Sequence, residues 1–186
     1  FPISFVADGF IVMGDAACLT KPSSGEGVTS SMVQADIAIE EVSRLLSEPG
    51  YLSGDKMWGI NKRYIEAQGK AFASQLATLL GAVATNAVEN DFLFKQDIIF
   101  TKESFQSMGC GKPLVFSAGE LLSIAAKMAG GVVSGKLRIK TIKALLAAMK
   151  KGDMVMRLYS EFPEDPEGFG NWVKRAEALW PLCLSN

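Results

Sequence analysis

The chain has 186 residues, 48% of them hydrophobic and 21% charged, with a net charge of −1 and no histidine. That balance supplies a substantial core, excludes a disordered segment, and gives no electrostatic reason to expect nucleic acid. The lack of histidine removes Ser-His and Cys-His nucleophilic pairs and every zinc pattern that needs imidazole.

The N-terminal stretch "FPISFVADGF" has neither a basic region nor a continuous apolar run, so it does not read as a signal peptide, and the chain starts as though cut from something longer. Phe10 to Met13 is a continuous apolar run closed by Gly14-Asp15, the pattern of a strand buried on both faces of a parallel sheet. Apolar residues at Val28, Met32, Ala35, Ile39, Val42 and Leu46 then predict an amphipathic helix over 26–47 with that stripe as its apolar face, ended by Glu48-Pro49-Gly50. Beyond residue 48 the character becomes mostly helical. Asp55 to Glu89 reads as one long helix or two, and its least charged window, Ala71 to Val88, as a buried helix at the short limit for a membrane span.

"DIIFT", Asp97 to Thr101, predicts a short extended segment. Ser117 and Glu120 have capping-box spacing and predict a helix running to about Gly130. Lys136 to Lys151 predicts another, closed by Gly152. Asp165-Pro166 predicts an N-cap with proline at the first helical position, and Pro181 the stop. The expected fold class is therefore α+β and mainly helical: a strand–turn–helix over residues 1–48, then a helical block over 49–186.

The chemistry concentrates in "GDAACLTKPSSGEG", Gly14 to Gly27. A helix N-terminus carries unpaired N–H groups and partial positive charge, and Gly25 and Gly27 let a flat or anionic ligand approach without a Cβ in the way. Pro22 stiffens the turn, and Asp15 offers an acceptor at a strand tip, where open α/β sheets place ligands. Cys18 either faces such a ligand or fills a small apolar space, and packing is the simpler expectation because no base stands near it. Glu26 either orients a ligand or merely complements the helix dipole. No metal site or catalytic acid–base pair is indicated. Cys18, Cys110 and Cys183 are odd in number and lack ligand spacing, which suits a reducing, cytoplasmic interior.

Gly14-Asp15-Ala16-Ala17 through Pro22 to Gly25-Glu26-Gly27 resembles the second FAD fingerprint of aromatic-hydroxylase-type flavoproteins, and its wording is most similar to the geranylgeranyl-reductase branch. The resemblance covers about thirty residues. It implies FAD as cofactor, Asp15 on the ribityl chain, and Gly25, Glu26 and Gly27 at the pyrimidine edge of the isoalloxazine, with Gly14 and Pro22 shaping the turn. It also implies a Rossmann-like first block, a helical cap over the flavin, and a hydrophobic, polyprenyl-lipid-type substrate reduced by hydride. Hydroxylases of this superfamily carry histidine where Cys18 stands, which favours reductase chemistry. The glycine-rich turn for the ADP half of FAD is not in the sequence; Gly109-Cys110-Gly111 reads as a loop. The chain is therefore expected to be the C-terminal part of such a protein, inactive without its N-terminal half.

Two other readings stand beside this one. A FixC-like dehydrogenase would pass electrons to a quinone or an iron-sulfur partner. A non-catalytic lipid-binding module would use the helix "KLRIKTIKALLAAMKK", whose Lys136, Lys140, Lys143 and Lys150 suit peripheral membrane contact as well as a solvated face. Tyr159, Phe162, Phe169, Trp172 and Trp180 suit core packing better than a lipid or quinone pocket.

Overall fold

The computed structural model describes residues 4–82, 85–98, 106 and 117–184, and they are mainly helical. At the N-terminus β1 (Val6–Ala7) pairs antiparallel with β2 (Phe10–Ile11), Val6 opposite Ile11 and Ala7 opposite Phe10. Asp8-Gly9 closes the hairpin, with Gly9 at φ +66°, the left-handed geometry that two-residue turns demand. The expected parallel strand is thus corrected: the only sheet among the described residues is this hairpin, and Phe10 is 61% exposed. Two residues per strand cannot bury an apolar run on both faces.

After a 3-10 turn over Gly14–Ala17 comes α1 (Val28–Leu46). A single long helical rod follows, built from α2 (Trp58–Tyr64), a π-helical turn at Ile65–Gly69 and α3 (Lys70–Ala82). The remaining helices are α4 (Ala87–Lys95), α5 (Ala118–Val133), α6 (Ile139–Ser160) and α7 (Phe169–Leu184). Both α4 and α5 start with complete capping boxes, Asn86 with Glu89 and Ser117 with Glu120, each side chain accepting from the other residue's amide.

Three apolar clusters hold these elements. Phe5, Ala17, Leu19, Ile37, Leu45, Met57, Ile60 and Tyr64 join the hairpin and α1 to α2. Trp58, Ile65, Ala73, Ala77, Val155, Leu158, Tyr159, Phe162, Trp172 and Ala176 join the rod to α6 and α7. Leu93, Ile98, Leu137 and Leu145 join α4 to α6, with α5 residues packed against them. The rod serves the first two clusters at once, so it is the spine of the molecule.

Three further expectations are corrected. Gly152 does not end its helix; α6 runs on to Ser160, and the glycine sits against α3, where a Cβ would lie 2.2 Å from Thr78 Oγ1. Close helix contact, not chain termination, explains it. Asp165 does not cap α7 directly; its Oδ1 accepts the Glu167 and Gly168 amides in a turn ahead of Phe169. Pro181 lies inside α7 and does not stop it. The segments "DIIFT" beyond Ile98 and Gly109–Gly111 lie outside the described residues.

The aromatic residues are core. Tyr159, Phe162 and Trp172 are buried and pack edge-on, with Phe169 and Trp180 against them. Their polar ends are used: Trp58 Nε1 donates to the Pro163 carbonyl at 3.0 Å and Trp172 Nε1 to the Leu158 carbonyl at 2.9 Å. Burial pushes the Tyr159 phenol up to about 12, opposed by the hydrogen bond that Trp180 Nε1 donates to it.

Candidate functional site

The Gly14–Gly27 segment folds as two linked turns in front of α1. Gly14 has φ +61° and starts the 3-10 turn; Cys18 ends it in the left-handed region at φ 54° and donates its amide to the Asp15 carbonyl. That geometry turns Cys18 outward while Ala17 and Leu19 take the inside, so the expectation that Cys18 packs in the core is corrected: it is exposed. The second turn spans Lys21 to Glu26. The Lys21 amide donates to the Glu26 carbonyl and the Gly25 amide to the Lys21 carbonyl, each at 2.9 Å, and Gly25 bends the chain at φ +71°. Pro22, half-buried, follows Lys21 in this loop.

A buried cation organises the turn. Lys21 is 5% exposed, and its Nζ stands 2.8 Å from Glu26 Oε2 and 2.7 Å from Thr29 Oγ1. Glu26 Oε1 accepts the Thr29 amide at 2.7 Å, and Oε2 accepts the Thr29 hydroxyl. The Lys21 ammonium, then the Thr29 amide and hydroxyl, hold the Glu26 carboxyl down at about 2. Glu26 therefore acts as the acceptor at the start of α1, a role its place beside the helix dipole suits.

Asp15 stands on the other side of the same helix start. It is exposed, and its Oδ1 accepts a hydrogen bond from Thr20 Oγ1 at 3.2 Å. A Cβ built on Gly27 would lie 2.7 Å from that same oxygen. The turn thus brings Gly14, Asp15, Gly25, Glu26 and Gly27 together. The Gly27 and Val28 amides, which begin the helix, have no acceptor among the described residues.

Gln34 fastens the arrangement to the hairpin. Fully buried, it accepts the Gly14 amide on Oε1 at 3.1 Å and donates from Nε2 to the Val12 carbonyl at 3.0 Å. Sequence reasoning missed Lys21, Thr29 and Gln34 as parts of the site. The lone lysine inside a run of small turn residues was the available signal for the first; nothing in local spacing marks Gln34.

Inward orientation of Gln34 decides which face of α1 is buried. Ser30, Gln34, Ile37, Ala38 and Leu45 face the protein. The stripe expected to be core is instead outward: Val28, Met32, Ile39 and Leu46 are each more than 60% exposed, with Ala35 and Val42 half-buried.

Chemically, the site offers one exposed carboxylate and free helix-start amides across a position that has no side chain. These suit a ligand with hydroxyls at one point and a flat, electron-rich edge beside it. The Thr29 amide, already held by Glu26, is not available to it. A groove of about 510 Å³ is lined by Val33, Asp36, Ile37, Glu40, Arg63, Glu66 and Ala67, and none of these belongs to the turn. Among the described residues no group of three or more His, Cys, Asp or Glu is placed to hold a metal ion, and no helix is long and apolar enough to cross a membrane.

No protein-family model matches the chain, and no curated protein is significantly similar to it.

Proposed function

We propose that the chain is the C-terminal part of an FAD-dependent oxidoreductase of the geranylgeranyl-reductase type, reducing an apolar, polyprenyl-like substrate. One observation carries the reading: the Asp15 carboxylate stands over the Cβ-less start of α1 at Gly27. An acceptor and a pair of amide donors side by side match adjoining parts of one flavin. Bound FAD would supply the hydride; this chain's residues bind and orient it. Asp15 accepts hydrogen bonds from ribityl hydroxyls. The Gly27 and Val28 amides point positive charge at an edge that gains electrons on reduction. The Lys21–Glu26–Thr29 set keeps the turn closed, and at Gly25 nothing lies within 4 Å of where a Cβ would point.

The outward stripe of α1 supports the same reading. Val28, Met32, Ile39 and Leu46 form an apolar face of the kind a covering sheet buries, and the proposal includes an N-terminal half that carries this sheet and the ADP-binding turn. Alone, the chain is expected to be inactive.

The test is made on the intact parent polypeptide, purified without denaturant. It is expected to be yellow and to release FAD on unfolding, and Asp15→Ala is expected to lose the flavin while keeping its circular dichroism. A colourless parent protein, or an Asp15→Ala variant with full flavin content, would overturn the reading.

A further inference from the structure

The outward face of α6 carries a pattern that the flavin reading does not use. Ile139, Lys143, Leu146, Lys150, Asp153 and Arg157 follow one another at steps of four, three, four, three and four residues, which places them on one line of the helix. All six are exposed, Ile139 at 60% and Leu146 at 57%, and Lys140 is exposed beside them. Thr141, Leu145, Ala148, Gly152 and Val155 take the opposite side into the core. Apolar and basic side chains therefore alternate from Ile139 to Lys150 along a solvent-facing stripe, with Asp153 between Lys150 and Arg157.

The cations on this stripe are gathered on one helix face without carboxylate partners among the described residues. Elsewhere Lys21, Arg44, Lys62, Arg63, Lys95, Arg138 and Arg175 are each held by a carboxylate, whereas Lys56, Lys70, Lys127 and Lys174, scattered over other elements, are not held by one among the described residues. Lys140, Lys143, Lys150 and Arg157 enter no ion pair among the described residues. Asp153 is the one acidic residue on the outward side of α6. Just before the helix, Lys136 is exposed, and Val133 at the end of α5 is 91% exposed. On a chain whose net charge is −1, this face is a local excess of positive charge interleaved with uncovered apolar side chains.

We infer that this face docks on an anionic lipid surface. Lysine stems lie along apolar material while their ammonium groups reach phosphate and carboxylate headgroups, and Val133, Ile139 and Leu146 enter the acyl boundary between them. A purely solvated face would gain nothing from the large apolar residues; a protein-facing surface would pair or bury the cations. The excess of positive charge interleaved with exposed Ile139 and Leu146 selects anionic lipid headgroups as the occupant. Each lysine near a negatively charged leaflet strengthens binding about fivefold, and two together about 25-fold. The inference is independent of any flavin.

The experiment is co-sedimentation of the full chain with phosphatidylcholine vesicles containing about one-third phosphatidylserine, against phosphatidylcholine alone. The chain is expected to sediment with the first and not the second. Lys140→Glu/Lys143→Glu is expected to weaken binding at least about 25-fold, and Ile139→Ser/Leu146→Ser about tenfold or more at unchanged charge. All these positions are exposed, so thermal melts should match the wild type and exclude misfolding. No sedimentation with the anionic vesicles would overturn the inference, as would an unchanged affinity in the lysine variant. An unchanged affinity in the Ser variant would also overturn it, because the surface would then be a general polyanion contact with no lipid insertion.

Discussion

Asp15 Oδ1 lies 2.7 Å from the point a Cβ on residue 27 would occupy, so an acidic side chain from the 3-10 turn and the N-cap residue of α1 share one small space. Gly27 itself has an ordinary negative φ of −112°, so its backbone tolerates a side chain; only the carboxylate must give way. Gly27→Ala should therefore fold with stability within about 0.5 kcal/mol of wild type, because a flexible side chain moves cheaply. On the proposed flavin reading, the same variant of the intact polypeptide should lose flavin affinity. Paired thermal melts and flavin absorbance separate the two effects.

Gly25 gives the opposite result. Its φ of +71° is the obstacle, since nothing lies within 4 Å of where its Cβ would point. Gly25→Ala should cost about 1 kcal/mol through left-handed strain alone. Gly25→Asn, which tolerates that region better, should recover part of it. Urea denaturation would measure both.

Glu26 makes the turn sensitive to acid. Its folded-state value is depressed to about 2, first by the hydrogen bond from Lys21. A group depressed on folding contributes stability that is complete above the ordinary glutamate range and disappears as pH falls through the folded value. Melting temperatures of wild type and Glu26→Gln should differ at pH 7, converge below about pH 4, and meet near pH 2. A constant difference across that range would refute the assignment.

Glu89 is the buried carboxylate of the molecule's other end. At 2% exposure it accepts the Arg138 amide at 3.0 Å, Arg138 Nε at 2.9 Å, the Thr141 hydroxyl and, through the capping box, the Asn86 amide. The Arg138 guanidinium holds its carboxyl well below the usual range although burial opposes this. Glu89→Ala strips acceptors from the starts of α4 and α6 together, and should cost about 3 kcal/mol after allowance for the half-exposed arginine. Chemical denaturation of the two proteins would show it.

Gly152 sets the spacing of α3 and α6. A Cβ there would meet Thr78 Oγ1 at 2.2 Å and the Ser74 carbonyl at 3.1 Å. Gly152→Ala should destabilise by about 1–3 kcal/mol, and Thr78→Ala in the same chain should restore part of the loss but not all, because the backbone carbonyl remains. A double-mutant cycle tests this.

The sequence alone determined what depends on neighbours a few residues apart. Ser117 with Glu120 is a capping box because three-residue spacing suffices to close it; the same box at Asn86 and Glu89 is hidden at the end of a stretch whose sequence reads as continuous helix. The glycine turn ahead of α1 was legible for the same reason, although the positive φ at Gly14 and Gly25 came from the structure. Tertiary structure decided what depends on partners far along the chain. The 3.6-residue period of α1 marks an apolar stripe but does not say which side meets the protein; Gln34, bonded to Val12 and Gly14 across twenty residues and more, turned that stripe outward. Likewise Gly152 reads as a helix end until Ser74 and Thr78 of a distant helix are found against it. Local spacing fixes turns and caps, whereas the choice of buried face rests on satisfying polar groups and excluding volume among segments that meet only once the chain has folded.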